Sequence, residues 1–410
     1  MTRVPKKSEP SRVGELALIQ RIRLRAGQNS ATAPGVTPEL QLGIGDDCAL
    51  LRPAPGEELA VTTDLSIAGR HFRLDWHPAE SVGHRALARG LSDLAAMGAR
   101  PVAAFLSLAL PRDLVQSPKA RGAARGPQAE GTIWPGPKGR EPWVDRFLDG
   151  FLSLAQAHHV PLAGGDLAES TLAVADVILT GAVPQGEALL RSGARPGDLI
   201  YVTGSLGGAA VGFDYLTKLA AEIERASPRK KASLPSRIPP RLKALLTPHL
   251  YPTPRVAQGL WLARNAMATA AIDLSDGLST DLAHLCAESG VTAEIDAAAL
   301  PFAPGANPAQ ALNCGEDYEL LFTAPPAARF PSSIEGVAVT CIGRILSASD
   351  GDANKGAADG KAARNAPGHI VEVSKGDASK GAAKPSRPPI TLITSKGAVP
   401  LTPQGWQHFS

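Results

Sequence analysis

Five short clusters in this 410-residue chain set aspartate beside glycine, threonine or serine. They are Gly43-Ile44-Gly45-Asp46-Asp47, Thr62-Thr63-Asp64, Ser92-Asp93, Gly164-Gly165-Asp166 and Asp273-Leu274-Ser275-Asp276-Gly277. Carboxylates that converge repel one another, and hard divalent cations with oxygen ligands relieve that repulsion. Magnesium keeps several waters and bridges one or two carboxylates to substrate phosphates. Hydroxyls such as those of Thr62, Thr63 and Ser275 suit the ion or its waters, and glycine lets backbone approach a phosphate closely. Each cluster alone also has a plainer reading. The two glycine-rich ones read as turns and Thr-Thr-Asp as a strand-end cap. Asp93 reads as the i, i+4 partner of Arg89 on a helix, and Asp273–Gly277 as a helix N-cap. Their joint occurrence is what argues for cation and phosphate chemistry. A calcium EF-hand does not fit, because the glycine after Asp276 falls one place early and no glutamate follows at the right spacing.

Familiar nucleotide motifs are absent from the chain: it has no Gly-rich loop ending in Gly-Lys-Ser/Thr and no protein-kinase signature set. Gly204–Gly208 before an apolar-periodic run reads either as a phosphate loop at a helix N-terminus or as a closely packed helix start. Arg191 and Arg195 flank a loop, where they are phosphate contacts or solvated charges. His71, after Ala68-Gly69-Arg70, is a ligand contact or a structural histidine. The nine histidines form no His-Glu-x-x-His motif and no legible Ser/His/Asp order.

The elements that must position these residues follow from periodicity and breakers. Helices are predicted over 13–25, with Leu18 and Ile22 on one face, over 81–97, with Ser81 as N-cap and Gly98 as stop, and over 143–158 and 276–289. A further helix opens after Gly204–Gly208. Strands are predicted over 59–64, 102–110, 160–164, 172–183, 199–203, 268–273 and 318–322. Arg195-Pro196-Gly197-Asp198 reads as a type II turn. ITLIT at 390–394, a Ser395-Lys396-Gly397 turn and 399–401 read as a closing hairpin. Strands and helices alternate in both halves, which implies a two-domain α/β or α+β enzyme. The expected units are a disordered tail at 1–12, a first domain at 13–185 with an insertion at 117–141, and a second at 186–410 with insertions at 225–243 and 346–389.

Composition narrows the class. Apolar residues make 44% and charged residues 20%, which excludes wholesale disorder and leaves enough for a large core. The net charge of +3 is uneven: the tail and the three insertions together carry +15, so the rest carries −12. A basic balance confined to such segments argues against nucleic acid as partner. The longest apolar runs fall short of the ~20 residues that span a bilayer, so no membrane segment is expected. The opening MTRVPKKSEPSR has no apolar run for a signal peptide, and Cys48, Cys286, Cys314 and Cys341 form no Cys-x-x-Cys pair. Both features point to a reduced, cytoplasmic protein.

Taken in order, the motifs resemble the thiamine-monophosphate kinase family. The resemblance rests on GIGDDCALL (43–51), TTDLSIAGRHF (62–72), ALARGLSDLAAMGARP (86–101), LSLALP (106–111), GGD (164–166), LLRSGARPGDLIYVTG (189–204), AIDLSDGLSTDL (271–282), GEDYELLF (315–322), CIGR (341–344) and GWQHF (405–409). It implies a two-domain PurM-like fold, with an N-terminal ATP-binding α/β domain and a C-terminal α/β sandwich domain, joined as a homodimer through N-terminal strands. It implies transfer of a phosphoryl group from ATP to thiamine monophosphate, assisted by several Mg²⁺ ions. Matched residue by residue, it makes Asp47, Thr62, Thr63, Asp64, Asp93, Asp166, Asp273 and Asp276 metal ligands. Asp64, Asp93 and Asp166 become the catalytic set. Gly165, Asp166, Arg191 and Ser275 become ATP contacts, and His71, Glu316 and Trp406 substrate contacts. The acceptor is already an ionised phosphate monoester, so transfer is expected to be direct and in line, with no strong general base. The chain departs from the pattern at Cys314, where a second glycine usually precedes Gly-Glu-Asp, and at Leu167-Ala168, which replace a threonine-rich stretch. The alternatives are another ATP-dependent member of the superfamily, such as aminoimidazole ribonucleotide synthetase, and a catalytically idle nucleotide-binding scaffold.

Overall fold

The computed structural model describes residues 15–27, 38–116, 141–226, 240–348 and 390–406. The predicted tail at 1–12 lies outside them, as does nearly all of the insertions at 117–141 and 346–389. The insertion at 225–243 is described only at its two ends, which belong to helices.

The first half opens with helix α1 (Glu15–Gly27) and builds one sheet from β1 (Glu57–Ile67), β2 (Arg100–Leu110), β3 (Leu162–Glu169) and β4 (Val174–Pro184). Their order across the sheet is β1-β4-β2-β3, with only β2 and β3 parallel. Helices α2 (Ala79–Ala96) and α3 (Trp143–Ala157) cover one face. The strands alternate accordingly. Thr62 and Asp64 on β1 turn toward α2, whereas Leu59, Val61 and Leu65 are 39%, 65% and 51% exposed on the other face.

The second half holds β5 (Leu199–Thr203), α4 (Gly208–Ala226), α5 (Pro240–Leu250), α6 (Val256–Arg264), β6 (Ala270–Asp273), α7 (Leu278–Ser289), β7 (Val291–Asp296), β8 (Leu320–Ala324), β9 (Val337–Ser347), β10 (Ile390–Thr394) and β11 (Gly397–Pro400). These strands form a sheet in the order β11-β10-β7-β9-β5-β8-β6, with Ser333–Ile334 added on β9. The Arg195–Asp198 turn is present, with Gly197 at φ +94° and Asp198 N–H donating to Arg195 O at 3.0 Å. The β10–β11 hairpin closes as expected, and β10 also pairs in parallel with β7. Only tertiary packing specifies that second pairing.

Two local expectations change. Ser81 lies inside the first turn of α2 and donates to Pro78 O at 2.8 Å, while Pro78 occupies the cap position. Gly164-Gly165-Asp166 is no turn, because β3 runs through it to Glu169.

Helix α2 is buried along nearly its whole circumference. It meets α3 backbone to backbone: a Cβ on Gly83 would collide with the carbonyl oxygen of Phe147, and one on Gly150 with that of Glu80. On another side, a Cβ on Gly259 of α6 would collide with Ala95 O. Because α2 carries several of the candidate site residues, these close approaches set where the site lies. Gly83→Ala or Gly150→Ala should therefore destabilise the protein by about 1–3 kcal/mol, as forced overpacking does. Gly27→Ala, with nothing within 4 Å, is the control for the urea midpoint and should barely move it.

Candidate functional site

Three elements from both halves bring carboxylates to one seam. β1 supplies Thr62 and Asp64, α2 supplies Arg89, Ser92 and Asp93, and the end of β6 supplies Asp273. Thr62 Oγ1 donates to Asp93 Oδ2, and Ser92 Oγ donates to Asp273 Oδ2 at 2.8 Å. Arg89 forms its ion pair with Asp64 across the gap, at 3.5 Å, and also donates to Leu65 O at 3.0 Å. The simple helical pair of Arg89 with Asp93 is thus replaced by a bridge between helix and strand.

Burial raises each of these acids, and their neighbours raise them further. Asp64 is pushed up to about 6 by burial and by Asp93, and Asp93 to about 6 by burial and by Asp273. Asp273, 2% exposed, reaches about 7 through burial and through Asp281 on α7. Asp281 itself reaches about 7, from burial and Asp276, although it accepts the N–H groups of Asp276 and Gly277 at 3.1 and 3.0 Å. The charge of Arg191 counteracts the rise at Asp93, Asp273 and Asp281. A sequence signal that could have singled out Asp281 is its place as the acidic residue in the first turn of α7, after Asp276-Gly277.

The remaining candidates divide into two groups. Ser275, Asp276, Glu316 and Trp406 gather at the N-terminal end of α7. Ser275 O accepts the Glu316 N–H at 2.9 Å, and Asp276 O accepts the Trp406 N–H at 3.1 Å. Arg70 stacks over the Trp406 ring at 4.8 Å, and neighbouring His71 accepts the Ile67 N–H on Nδ1 at 3.1 Å. Glu316 has φ +66° and pairs with Arg85 at 2.6 Å. Cys314 is extended, at φ −96° and ψ 137°, so a glycine is not required there.

The other group lies apart from the seam. Asp47 is exposed, with its N–H on Asp46 Oδ1 at 2.9 Å. Thr63 faces away from α2 and donates to Asp176 at 3.0 Å. Asp166 is exposed on β3, in register with Ser107 and Asp176, and so shares that outer face. Gly165, just before it, has room only for hydrogen against the carbonyl of Leu106.

The Gly204–Gly208 alternative resolves toward packing. Asp317 accepts the N–H groups of Gly207 and Ala209 at 2.6 and 3.1 Å, so the start of α4 is already capped by an internal carboxylate.

The donor chemistry suits a hard cation: carboxylate and hydroxyl oxygens, buried and mutually repelling. Among the described residues no group of three or more His, Cys, Asp or Glu forms a ready-made metal cage.

Residues 45–184 match the AIR synthase related protein N-terminal domain, and residues 195–353 its C-terminal domain. The chain is 39% identical to thiamine-monophosphate kinase of Escherichia coli strain K12, over 76% of this chain and 86% of that one. It is 33% identical to the Haemophilus influenzae protein of the same name, over 76% and 84%. Among solved structures, thiamine-monophosphate kinase from Stenotrophomonas maltophilia K279a matches with TM-score 0.63 and 35% identity, over 82% of this chain and 94% of that one. AaThiL complexed with AMPPCP and TMP matches with TM-score 0.56 and 28% identity, over 82% and 91%.

The raised acids carry a testable sign. In the folded chain they hold protons at pH values where the unfolded chain has lost them, so their contribution to stability is present at low pH and is lost as pH rises through about 6–7. Buried His77 and His249, held below their ordinary value by burial, act with the opposite sign. The carboxyl effect is therefore read as a difference. In metal-free buffer, the melting temperature of Asp273→Asn relative to the parent should climb between about pH 5 and pH 8. A flat or falling difference would contradict the burial of this charge.

Proposed function

The chain belongs to the thiamine-monophosphate kinase family, and from that premise we propose that it transfers the γ-phosphoryl group of ATP to thiamine monophosphate, giving thiamine diphosphate and ADP. The observation that carries the reading is the convergence of Asp64, Asp93 and Asp273, from both halves of the chain, with the charge of Arg191 acting on Asp93 and Asp273. Aminoimidazole ribonucleotide synthetase is the less supported alternative, since relatives above 30% identity carry the thiamine-monophosphate kinase name.

Transfer is taken as direct and in line. The acceptor phosphate is its own nucleophile, so the protein's work is to position two anions and neutralise their charge. Bound Mg²⁺ would supply that neutralisation, held by Asp64, Asp93 and Asp273 with the Thr62 hydroxyl. Thr62 and Ser92 keep the carboxylates of Asp93 and Asp273 aimed at the seam. Arg191 is placed to meet a polyphosphate, with Ser275 and Gly165 as further ATP contacts. Asp47, Thr63, Asp166 and Asp276 remain proposed ligands on the strength of their motif positions, and Asp166 remains in the proposed catalytic set. His71, Glu316 and Trp406 are proposed to hold the acceptor, beside the stacked Arg70–Trp406 pair.

A homodimer through the N-terminal sheet is part of the proposal. It is supported by the exposed Leu59, Val61 and Leu65 on one face of edge strand β1. Such a dimer would also cover Thr63 and Asp166. The domain division at 185/186 is supported by the two family matches, which end at 184 and begin at 195. A cytoplasmic location is supported by four free cysteines. No helix among the described residues is long and apolar enough to cross a membrane.

Purified protein should release ADP with thiamine monophosphate and Mg²⁺, and not with free thiamine or with excess chelator. Asp93→Ala at saturating Mg²⁺ should lose about 10²–10³ in rate, the size seen when one preorganised electrostatic group is removed. Near-parental turnover would remove Asp93 from the mechanism. Trp406→Ala should raise the acceptor KM several-fold and leave the ATP KM in place; an unchanged acceptor KM would end its proposed role.

A further inference from the structure

Glu316, proposed above as an acceptor contact, rests at its inner end on a buried polar chain. Arg85 Nη2 donates to Glu316 Oε1 at 2.6 Å. The other oxygen, Oε2, faces His249 Nδ1 at 3.6 Å. His249 is 3% exposed and its Nδ1 has no hydrogen-bond partner among the described residues; its Nε2 lies 3.0 Å from Nε2 of His77, which is 5% exposed. The pair ties α5 to the chain just before α2, and Phe213 packs on the His249 ring at 5.5 Å.

The tautomers follow from donor accounting. Arg73 O already accepts the N–H groups of Trp76 and His77, at 3.2 and 2.9 Å. His77 Nδ1 lies 3.2 Å from that oxygen and 3.1 Å from the Arg73 N–H; with both lone pairs of the oxygen taken, it accepts the N–H. Its proton is then on Nε2 and is donated to His249 Nε2. The His249 proton is therefore assigned to Nδ1, the ring atom 3.6 Å from Glu316 Oε2. Both rings stay neutral, because burial and the adjacent Arg85 cation disfavour charging them. A neutral ring aimed this way offers Glu316 a donor without cancelling its negative charge.

We propose that His249, oriented by His77, is a positioning residue for acceptor binding, which with Arg85 holds the Glu316 carboxylate so that it can receive a cationic or N–H-bearing part of the acceptor. The device rests on the reading of Glu316 as an acceptor contact. Glu316 occupies a left-handed backbone position, which fixes its Cα but not its carboxylate. Arg85, from the first half, holds one oxygen at 2.6 Å, and His249, from the second, stands 3.6 Å from the other, near enough to close to a hydrogen bond when the acceptor is bound.

The test is a set of steady-state measurements on the full chain, with folding checked by thermal melts. His249→Phe should raise the acceptor KM about tenfold, leaving the ATP KM and kcat within about twofold, because only acceptor placement is disturbed. His249→Asn, whose amide N–H can stand where Nδ1–H stood, should recover most of that loss. In a Glu316→Ala background, His249→Phe should add less than about twofold. If Glu316→Ala leaves the acceptor KM unchanged, the reading of Glu316 fails and takes the proposal with it. If Glu316→Ala raises KM and His249→Phe does not, only the positioning role fails. Equal penalties in both backgrounds, failure of Asn to recover the loss, or a loss seen only in the melting temperature would each overturn it.

Discussion

Helix α2 has almost no solvent face, and the arrangement of the site depends on how tightly it is held. Glycines at 83 and 150 let it meet α3 at backbone distance, and Gly259 does the same for α6. A helix gripped on several sides cannot slide or rotate by a residue without steric collision. Its turns therefore deliver Arg85, Arg89, Ser92 and Asp93 to fixed places. Those side chains reach partners in strand β1, in the loop before β8 and at the end of β6. One buried helix thus couples the two halves of the chain at the seam where phosphate chemistry is proposed.

A second constraint is electrostatic. The fold holds Asp64, Asp93, Asp273 and Asp281 in a low-dielectric region where each raises the proton affinity of the next. Such an arrangement opposes folding with all groups charged and is relieved by protons or cations. Elsewhere the fold treats carboxylates as structural groups. Asp317 caps α4, and Glu319 takes a bidentate pair from Arg255 plus the Thr203 hydroxyl at 2.7 Å. The contrast separates the seam from ordinary buried acids. Burial raises Asp317 too, to about 6, but the N–H groups at the start of α4 offset part of that rise, whereas at Asp93 and Asp273 the largest cause after burial is a neighbouring carboxylate.

The uneven charge along the chain fits this picture. The acidic body contains the seam, and the basic excess falls in segments that interrupt no motif. The thiamine-monophosphate kinase family, to which the chain belongs, acts on anionic partners. Converging carboxylates repel an anionic partner unless cations lie between them, which is the arrangement proposed for the seam.

What the sequence determined by itself was local. Apolar periodicity, Gly98 as a stop and the Arg195–Asp198 turn set most elements to within a few residues, and residue types alone marked Thr62, Asp64, Asp93 and Asp273 as candidates for oxygen-ligand chemistry. Tertiary structure decided which candidates meet. Strand alternation sends Thr62 and Asp64 toward α2 and Thr63 to the opposite face, so adjacent residues of one motif part company. Arg89 finds Asp64 across a gap, Asp317 closes the helix start that could have been a phosphate loop, and His77 meets His249, 172 positions further along the chain. No spacing rule encodes such encounters. They arise from sheet order and from the backbone-close packing of α2, which depend on all the elements at once.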